Sequence, residues 1–398
     1  MSLNNTPSGE RIHIGFFGMR NAGKSSLVNS VTGQELSVVS AYKGTTTDPV
    51  KKAMELLPLG PVLIIDTPGL DDEGELGELR VKKAKEALKS TDIAVLTVDS
   101  QKGLCELDRE LIADLKKSGI PYIIAYNKSD IKKIRTEADN EISVSTLTGE
   151  NIRELKEKIA ALAPKKELKY IVADLIEPKE IVVLVVPIDE SAPKGRIILP
   201  QQQTLREILD TGAIAMVCQD DELPETLKAL AKKPKLVITD SQVFGKVSKM
   251  VPEDITLTSF SILFARYKGD LEELVRGAAA LKELCNGDRV LISEGCTHHR
   301  QCNDIGSVKM PNWIKKFSSA EIDITLTSGG EFPEDLSPYK VIVHCGGCML
   351  NEAQMKSRID AAKKAGVPIV NYGVAIAHMN GILKKTLAPF PEIQKILK

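Results

Sequence analysis

No stretch of about 18 consecutive apolar residues occurs in this 398-residue chain, so no transmembrane helix is expected. Positive charge is in no excess: 53 Lys and Arg face 54 Asp and Glu, a formal net charge of -1. That balance removes the global electrostatic case for a polyanionic partner such as RNA. The segment Met1 to Glu10 is polar, lacks the apolar core of a secretory signal and is expected to be disordered. Seven cysteines in a chain this long, several at ligand spacing, fit a reducing cytoplasm rather than a disulfide scaffold. Its length allows two or three domains, each with its own core.

What is present is concentrated. Four of the five histidines and four of the seven cysteines lie between residues 296 and 378. Val341-Ile342-Val343 reads as a buried strand and runs into His344-Cys345-Gly346-Gly347-Cys348. Val290-Leu291-Ile292-Ser293 is a second such run, followed by Cys296-Thr297-His298-His299. Both clusters therefore sit past the carboxyl ends of expected strands, the edge at which open parallel sheets bind ligands. Three thiolates (Cys296, Cys345, Cys348) and three imidazoles (His298, His299, His344) suit a metal centre. Zinc would close a Cys3His site. A 4Fe-4S cluster would take three cysteines and leave one iron to a replaceable ligand, with His298, His344 or Asp189 as candidates. Cys105, Cys218 and Cys285 read as ordinary core thiols, Cys302 as a core thiol or spare ligand, and His378 as a packing residue.

A second chemistry opens the chain. Strand-like Ile12 to Phe17 leads into Gly18-Met19-Arg20-Asn21-Ala22-Gly23-Lys24-Ser25, and a helix is expected over Ser26 to Thr32. Strand, glycine loop and helix in that order make a phosphate cradle from Gly18, Asn21, Ala22, Gly23, Lys24, Ser25 and Ser26. Lys24 is placed for the β- and γ-phosphates and Ser25 for Mg2+. Asp66-Thr67-Pro68-Gly69 follows the run Val62 to Ile65, putting a carboxylate where it can hold a magnesium-bound water. Asn127-Lys128-Ser129-Asp130 follows Tyr122 to Ala125, and Asp130 can accept from the guanine N1–H and exocyclic amine. Ser145 and Thr146, in Ser143-Val144-Ser145-Thr146, are placed to touch the guanine carbonyl.

These four motifs resemble the translation-factor-related GTPases, Ras-like in fold, over residues 11–163. The resemblance extends to Gly44-Thr45-Thr46-Thr47-Asp48, similar to the switch I of Era and MnmE, with Thr47 where arginine is usual. It implies Thr46 as a magnesium ligand beside Ser25 and Asp66, and a catalytic set of Lys24, Thr46, Asp66 and Gly69. Leu70 stands where Ras-like enzymes carry a water-orienting glutamine, so slow hydrolysis is expected. Asn21 matches the asparagine that helps hold K+ in potassium-activated members, implying potassium stimulation.

Ala163-Pro164-Lys165-Lys166 is a polar break suited to a hinge. Beyond it, Ile181 to Val186, Arg196 to Leu199, Ala213 to Val217, Leu236 to Thr239 and Ile255 to Leu263 read as strands, with helices such as Pro224 to Ala231. No catalytic motif appears in 171–264, which is assigned to subunit pairing. A third α/β block occupies 268–398, with helices over Leu271 to Leu284 and Glu352 to Ala365.

The combination of a GTPase third, a middle α/β region and a Cys-x-His with His-Cys-x-x-Cys block resembles the FeFe-hydrogenase maturation GTPases, the HydF family. The fold class is then α/β in three domains: a Ras-like P-loop GTPase domain, an α/β dimerisation domain and an α/β iron-sulfur cluster-binding domain. The resemblance implies a cytoplasmic homodimeric scaffold that uses GTP and Mg2+ and binds a 4Fe-4S cluster. It further implies receipt of a two-iron precursor from the radical-SAM maturases HydE and HydG, and delivery to the apo FeFe-hydrogenase HydA. Nucleic acid and membrane are not expected partners. The rival reading is an RNA-associated GTPase of the Era or MnmE kind with structural zinc. Against it stand the charge balance, the lack of a GXXG-bearing KH-like segment, and a terminus, Gln394-Lys395-Ile396-Leu397-Lys398, without the cysteine expected of MnmE.

Overall fold

The computed structural model describes residues 6–33, 49–70, 75–163, 169–188, 197–295, 304–347 and 350–397, and the chain divides into two units, Met1–Lys166 and Glu167–Lys398. The fold is mixed α/β throughout.

In the first unit the strands are β1 (Ile12–Gly18), β2 (Val50–Leu56), β3 (Gly60–Asp66), β4 (Ile93–Asp99), β5 (Tyr122–Asn127) and β6 (Glu141–Ser143). They form one sheet in the order β2-β3-β1-β4-β5-β6. All pairs are parallel except β2 with β3, where Val50 lies opposite Asp66. The helices are α1 (Lys24–Thr32), α2 (Glu75–Leu88), α3 (Glu106–Ser118) and α4 (Ile152–Ala161). Ile14 and Phe16 pack with Leu27, Val28, Leu155 and Ile159. Phe17, Ile65 and Leu96 pack with Ala84, Leu88, Leu111 and Leu115 in a separate apolar layer. Burial on both faces is why the central strands read as unbroken apolar runs. β2 was not legible that way because it is an edge strand, largely exposed and carrying Lys51, Lys52 and Glu55.

The second unit holds two four-stranded sheets. β7 (Ile181–Val185), β8 (Ile214–Cys218), β9 (Leu236–Thr239) and β10 (Thr256–Ser259) run parallel in the order β10-β9-β7-β8. β11 (Arg289–Ser293), β12 (Asp323–Thr327), β13 (Val341–His344) and β14 (Ile369–Asn371) run parallel in the order β12-β11-β13-β14. Around them lie α5 (Leu199–Asp210), α6 (Leu223–Ala229), α7 (Phe244–Val247), α8 (Phe260–Lys268), α9 (Leu271–Ala278), α10 (Met310–Ser318), α11 (Glu352–Ala365) and α12 (Tyr372–Met379). One hydrophobic core serves both sheets, uniting Val182, Leu184 and Ile238 with Leu263, Leu274, Val290, Ile342 and Val370. A buried hydrogen bond from Thr258 Oγ1 to the Thr386 carbonyl, 2.8 Å, ties the end of β10 to the carboxyl-terminal segment.

Three local expectations change. Ile255 to Leu263 is not one strand: β10 stops at Ser259, whose hydroxyl accepts from the Ile262 amide at 3.4 Å and caps α8. Apolar and hydroxyl residues alternate from Ile255 to Thr258 and again from Ser259 to Ile262, which reads as a strand running on past the serine that starts the helix. Leu199 opens α5, with Pro200 in its first turn, rather than ending a strand; Arg196 is outside the described residues. Cys285 is exposed, not a core thiol, whereas Cys218 is buried.

Candidate functional site

At the carboxyl edge of the first sheet the chain must turn sharply, and glycine permits it. Gly18 has φ +146°, and a Cβ there would lie 2.3 Å from the Thr97 carbonyl oxygen. Gly23, at φ +86°, starts α1 with no side-chain cap, so the helix N-terminus is left for a ligand. The Lys24 Nζ reaches Asp66 Oδ1 at 2.5 Å, and Ser25 Oγ donates to Asp66 Oδ2 at 3.1 Å. A lysine, a hydroxyl and a carboxylate from two different strand ends thus converge beside the glycine loop, a donor set suited to phosphate and a hard cation. Gly69 passes so close to Arg20 that a Cβ would sit 3.0 Å from its Cα. Leu70 is turned inward, 7% exposed, among Phe17, Ile65 and Leu96. Asn21 is exposed with a left-handed backbone, φ +63°. Thr46 lies outside the described residues.

The base-recognition segments meet at one end of this loop. Asn127 Nδ2 donates to the Ala22 carbonyl at 3.0 Å, and its Oδ1 accepts from the Thr146 amide at 3.2 Å. Ser145 Oγ donates to Asp130 Oδ1 at 2.5 Å and accepts from the Thr148 amide at 3.2 Å, which holds the carboxylate at the mouth of the site. Lys128 pairs with Asp99 at 2.6 Å. Burial pushes the Asp99 carboxyl up, but the hydrogen bonds from Lys128 and the Gln101 amide, with the charges of Lys128 and Lys102, together outweigh it and hold the group below its usual range. Asp99 was missed in the sequence; its signal was an acid closing the apolar run Ile93 to Val98.

The second unit has its own polar edge. Ser293 on β11 lies opposite His344 on β13, so the residues following both strands emerge side by side. Cys345 Sγ accepts from the Gly295 amide at 3.0 Å and from the Gly347 amide at 3.3 Å. Two N–H donors aimed at one sulfur suit a thiolate better than a thiol. Gly347 is at φ +62°, and a Cβ there would press on Met355 Sδ at 2.6 Å, so the loop requires glycine. Cys296, His298, His299, Cys302, Cys348 and Asp189 lie outside the described residues. Among the described residues no group of three or more His, Cys, Asp or Glu is gathered as a metal cage.

His344 is fully buried, and both ring nitrogens are engaged. Nδ1 faces the Cys345 carbonyl at 2.7 Å and Nε2 faces Arg358 Nη1 at 2.8 Å. Burial and the neighbouring guanidinium press its pKa down to about 3. In this arrangement the ring has no nitrogen left for a metal, which weighs against His344 as a fourth ligand. Arg358, Ser293 and Glu294 were missed: Glu294 is buried and accepts from the Tyr372 hydroxyl at 3.3 Å. His378 packs edge-on to Phe317, ring centroids 5.6 Å apart.

The doubly wound sheet, the glycine loop and the asparagine-bridged base segments define the first unit as a P-loop GTPase domain. A family model described as a 50S ribosome-binding GTPase matches residues 13–128. Two further models, the hydrogen maturase F dimerization domain and tetramerization domain, match residues 171–269 and 272–389, together more than half of the chain. The chain belongs to the hydrogen maturase F family. Its tRNA modification relative MnmE from Clostridioides difficile is 34% identical over 161 residues, covering 38% of this chain and 34% of that protein. GTPase Der from Wolinella succinogenes is 34% identical over 165 residues, covering 37% and 35%. The chain therefore spans about a third of the length of these curated relatives. Among solved structures, Aquifex aeolicus Era bound to GDP.AlF4- is 21% identical at a TM-score of 0.34, covering 55% of this chain and 98% of that one. Likeness at that score carries no functional weight.

Proposed function

We propose that the chain is a GTP-hydrolysing maturation factor for FeFe-hydrogenase whose second unit carries a 4Fe-4S cluster on Cys296, Cys345 and Cys348. Lys24 reaches the β- and γ-phosphates, while Ser25, Asp66 and Thr46 hold Mg2+. Asp130 selects guanine, with Ser145 and Thr146 closing over the base. Hydrolysis is slow, since Leu70 presents no polar group to a water, and K+ held beside Asn21 stimulates it by stabilising developing phosphate charge. GTP orders the switch segments and biases docking.

The observation that carries the metal assignment is the hydrogen bond from the Gly295 amide to Cys345 Sγ, 3.0 Å, across the β11–β13 pair. Gly295 is followed in the sequence by Cys296, so the chain enters the first cysteine motif directly from the residue whose amide faces Cys345. When bound, the cluster supplies an iron position open to ligand exchange. His298 and Asp189 are the remaining candidates for the fourth ligand. The protein acts as a homodimeric, cytoplasmic scaffold that takes a two-iron precursor from HydE and HydG and passes it to HydA.

The test is Cys345→Ser in the full chain. Iron and sulfide binding should be lost after anaerobic reconstitution while GTP turnover stays at the wild-type rate. Full cluster content in the variant overturns the metal assignment, and a parallel loss of turnover overturns the division of labour between the units.

A further inference from the structure

Beneath the cysteine edge lies a buried cation that no carboxylate pairs with among the described residues. Arg358, on α11, is 5% exposed. Nη1 donates to His344 Nε2 at 2.8 Å and to Ser293 Oγ at 3.1 Å, and Nη2 donates to the Gly329 carbonyl at 2.7 Å. The guanidinium carbon stands 5.1 Å from the centre of the Phe332 ring. None of these four neighbours carries negative charge. His344 is neutral by geometry: Nδ1 faces a carbonyl and must donate, and Nε2 faces a guanidinium N–H and must accept. Among the described residues no carboxylate forms an ion pair with Arg358, whose hydrogen bonds go to a ring nitrogen, a hydroxyl and a carbonyl.

A buried guanidinium without a counter-charge is strongly disfavoured, because desolvation is not repaid by neutral hydrogen bonds alone. The missing negative charge belongs at the cysteine edge. There two backbone amides already point at Cys345 Sγ, and the His344 ring bonds Arg358 on one side and the Cys345 carbonyl on the other.

We propose that Arg358 is a positioning residue for the metal edge: its buried positive charge is the counter-ion of the Cys345 thiolate and of the reduced cluster, and His344 is the neutral strut between them rather than a ligand. The inference rests on the cluster-binding reading above. Reduction takes one electron from an external low-potential donor, such as dithionite; no protein bond forms or breaks, and the added negative charge is stabilised by Arg358. The fixed cation therefore raises the reduction potential.

The experiment is a redox titration, followed by electron paramagnetic resonance, of full-length protein reconstituted anaerobically, with iron and sulfide assayed on each sample. Arg358→Met should load cluster yet raise the oxidised-to-reduced ratio at a given poise about tenfold, a shift of about 59 mV to more negative potential for one electron. Arg358→Lys should stay near the wild-type potential because it keeps the charge. His344→Gln should leave any nitrogen coupling in the pulsed spectrum unchanged. A loaded Arg358→Met at the wild-type potential overturns the proposal, as does loss of nitrogen coupling in His344→Gln. If Arg358→Met does not fold by circular dichroism, Arg358→Lys decides: the wild-type potential supports the charge role, and a comparably lowered one overturns it. Wild-type protein that takes up no iron and sulfide overturns the cluster reading itself, whereas a loaded wild type with an unmoved variant overturns only the role of Arg358.

Discussion

Asn127 and Ala22 are joined across the nucleotide site by a 3.0 Å hydrogen bond from the asparagine amide to the alanine carbonyl, while the same side chain receives the Thr146 amide at 3.2 Å. One residue therefore fastens the phosphate loop to the base-recognition loop. Asn127→Ala removes both bonds, each worth about 1 kcal/mol and more where a buried partner is left unsatisfied. GTP and GDP affinities should fall together, by about 10- to 100-fold, because neither bond depends on the γ-phosphate. Titration with fluorescent nucleotides checks this, and weakening of GTP alone would refute the fastening role.

Asp130 is held by Ser145 Oγ at 2.5 Å with its carboxylate exposed at the site mouth. Exchanging it for asparagine replaces an acceptor pair by one acceptor and one donor. Asp130→Asn should lose about 10- to 100-fold in GTP affinity, the worth of charged hydrogen bonds, and gain xanthosine triphosphate, whose C2 carbonyl can take the new donor. Competition binding with the two nucleotides reads the exchange directly.

At position 70, restoring the glutamine of Ras-like enzymes should not help. Leu70 is packed against Phe17 and Leu96, so Leu70→Gln places an amide in an apolar layer. The expected cost is about 2–4 kcal/mol of stability. Thermal unfolding should show that loss, and single-turnover hydrolysis should not accelerate. A faster, equally stable variant would mean that residue 70 faces the nucleotide.

β8 closes one edge of its sheet with Ile214 50%, Met216 38% and Val217 46% exposed. An apolar edge strand within the segment matched to a dimerization domain is where a second copy should add. Val217→Lys should weaken self-association by roughly 10- to 30-fold, as for a central interface residue, without changing GTP turnover. Sedimentation velocity at several concentrations measures it, and an unchanged dimer would move the interface elsewhere.

The nucleotide site was legible because phosphate chemistry demands fixed spacing in a local segment: Gly18, Gly23 and Lys24 must be where they are for backbone amides to face one point. The Asn127 to Asp130 segment was legible because it closes β5, a strand buried on both faces, and the Ser145 segment because it follows in the expected order. β2 escaped because an exposed edge strand has no apolar period to read. α8 was misread because Ser259, a capping residue, sits inside a stretch where apolar residues alternate with Thr and Ser as they would along a strand. Arg358 was invisible for a different reason. In Lys356-Ser357-Arg358-Ile359-Asp360 it looks like part of a solvated helix face, and only the packing of α11 against the ends of β11 and β13 turns it inward. The neutral state of His344 follows from the same packing, so its histidine-cysteine spacing alone suggested a ligand.

The shared core of the second unit has a consequence for how such proteins can change. Val182 and Ile238 are packed in one continuous mass with Val290 and Ile342, and Thr258 is latched to Thr386. Neither sheet is an exchangeable cartridge. Cutting the chain near Gly269 would strip apolar surface from both halves at once, so separately expressed fragments 171–264 and 268–398 should aggregate or reassociate rather than fold alone. Substitutions that reshape one sheet's inner face will be answered in the other, and the two halves are bound to drift through evolution as a matched pair.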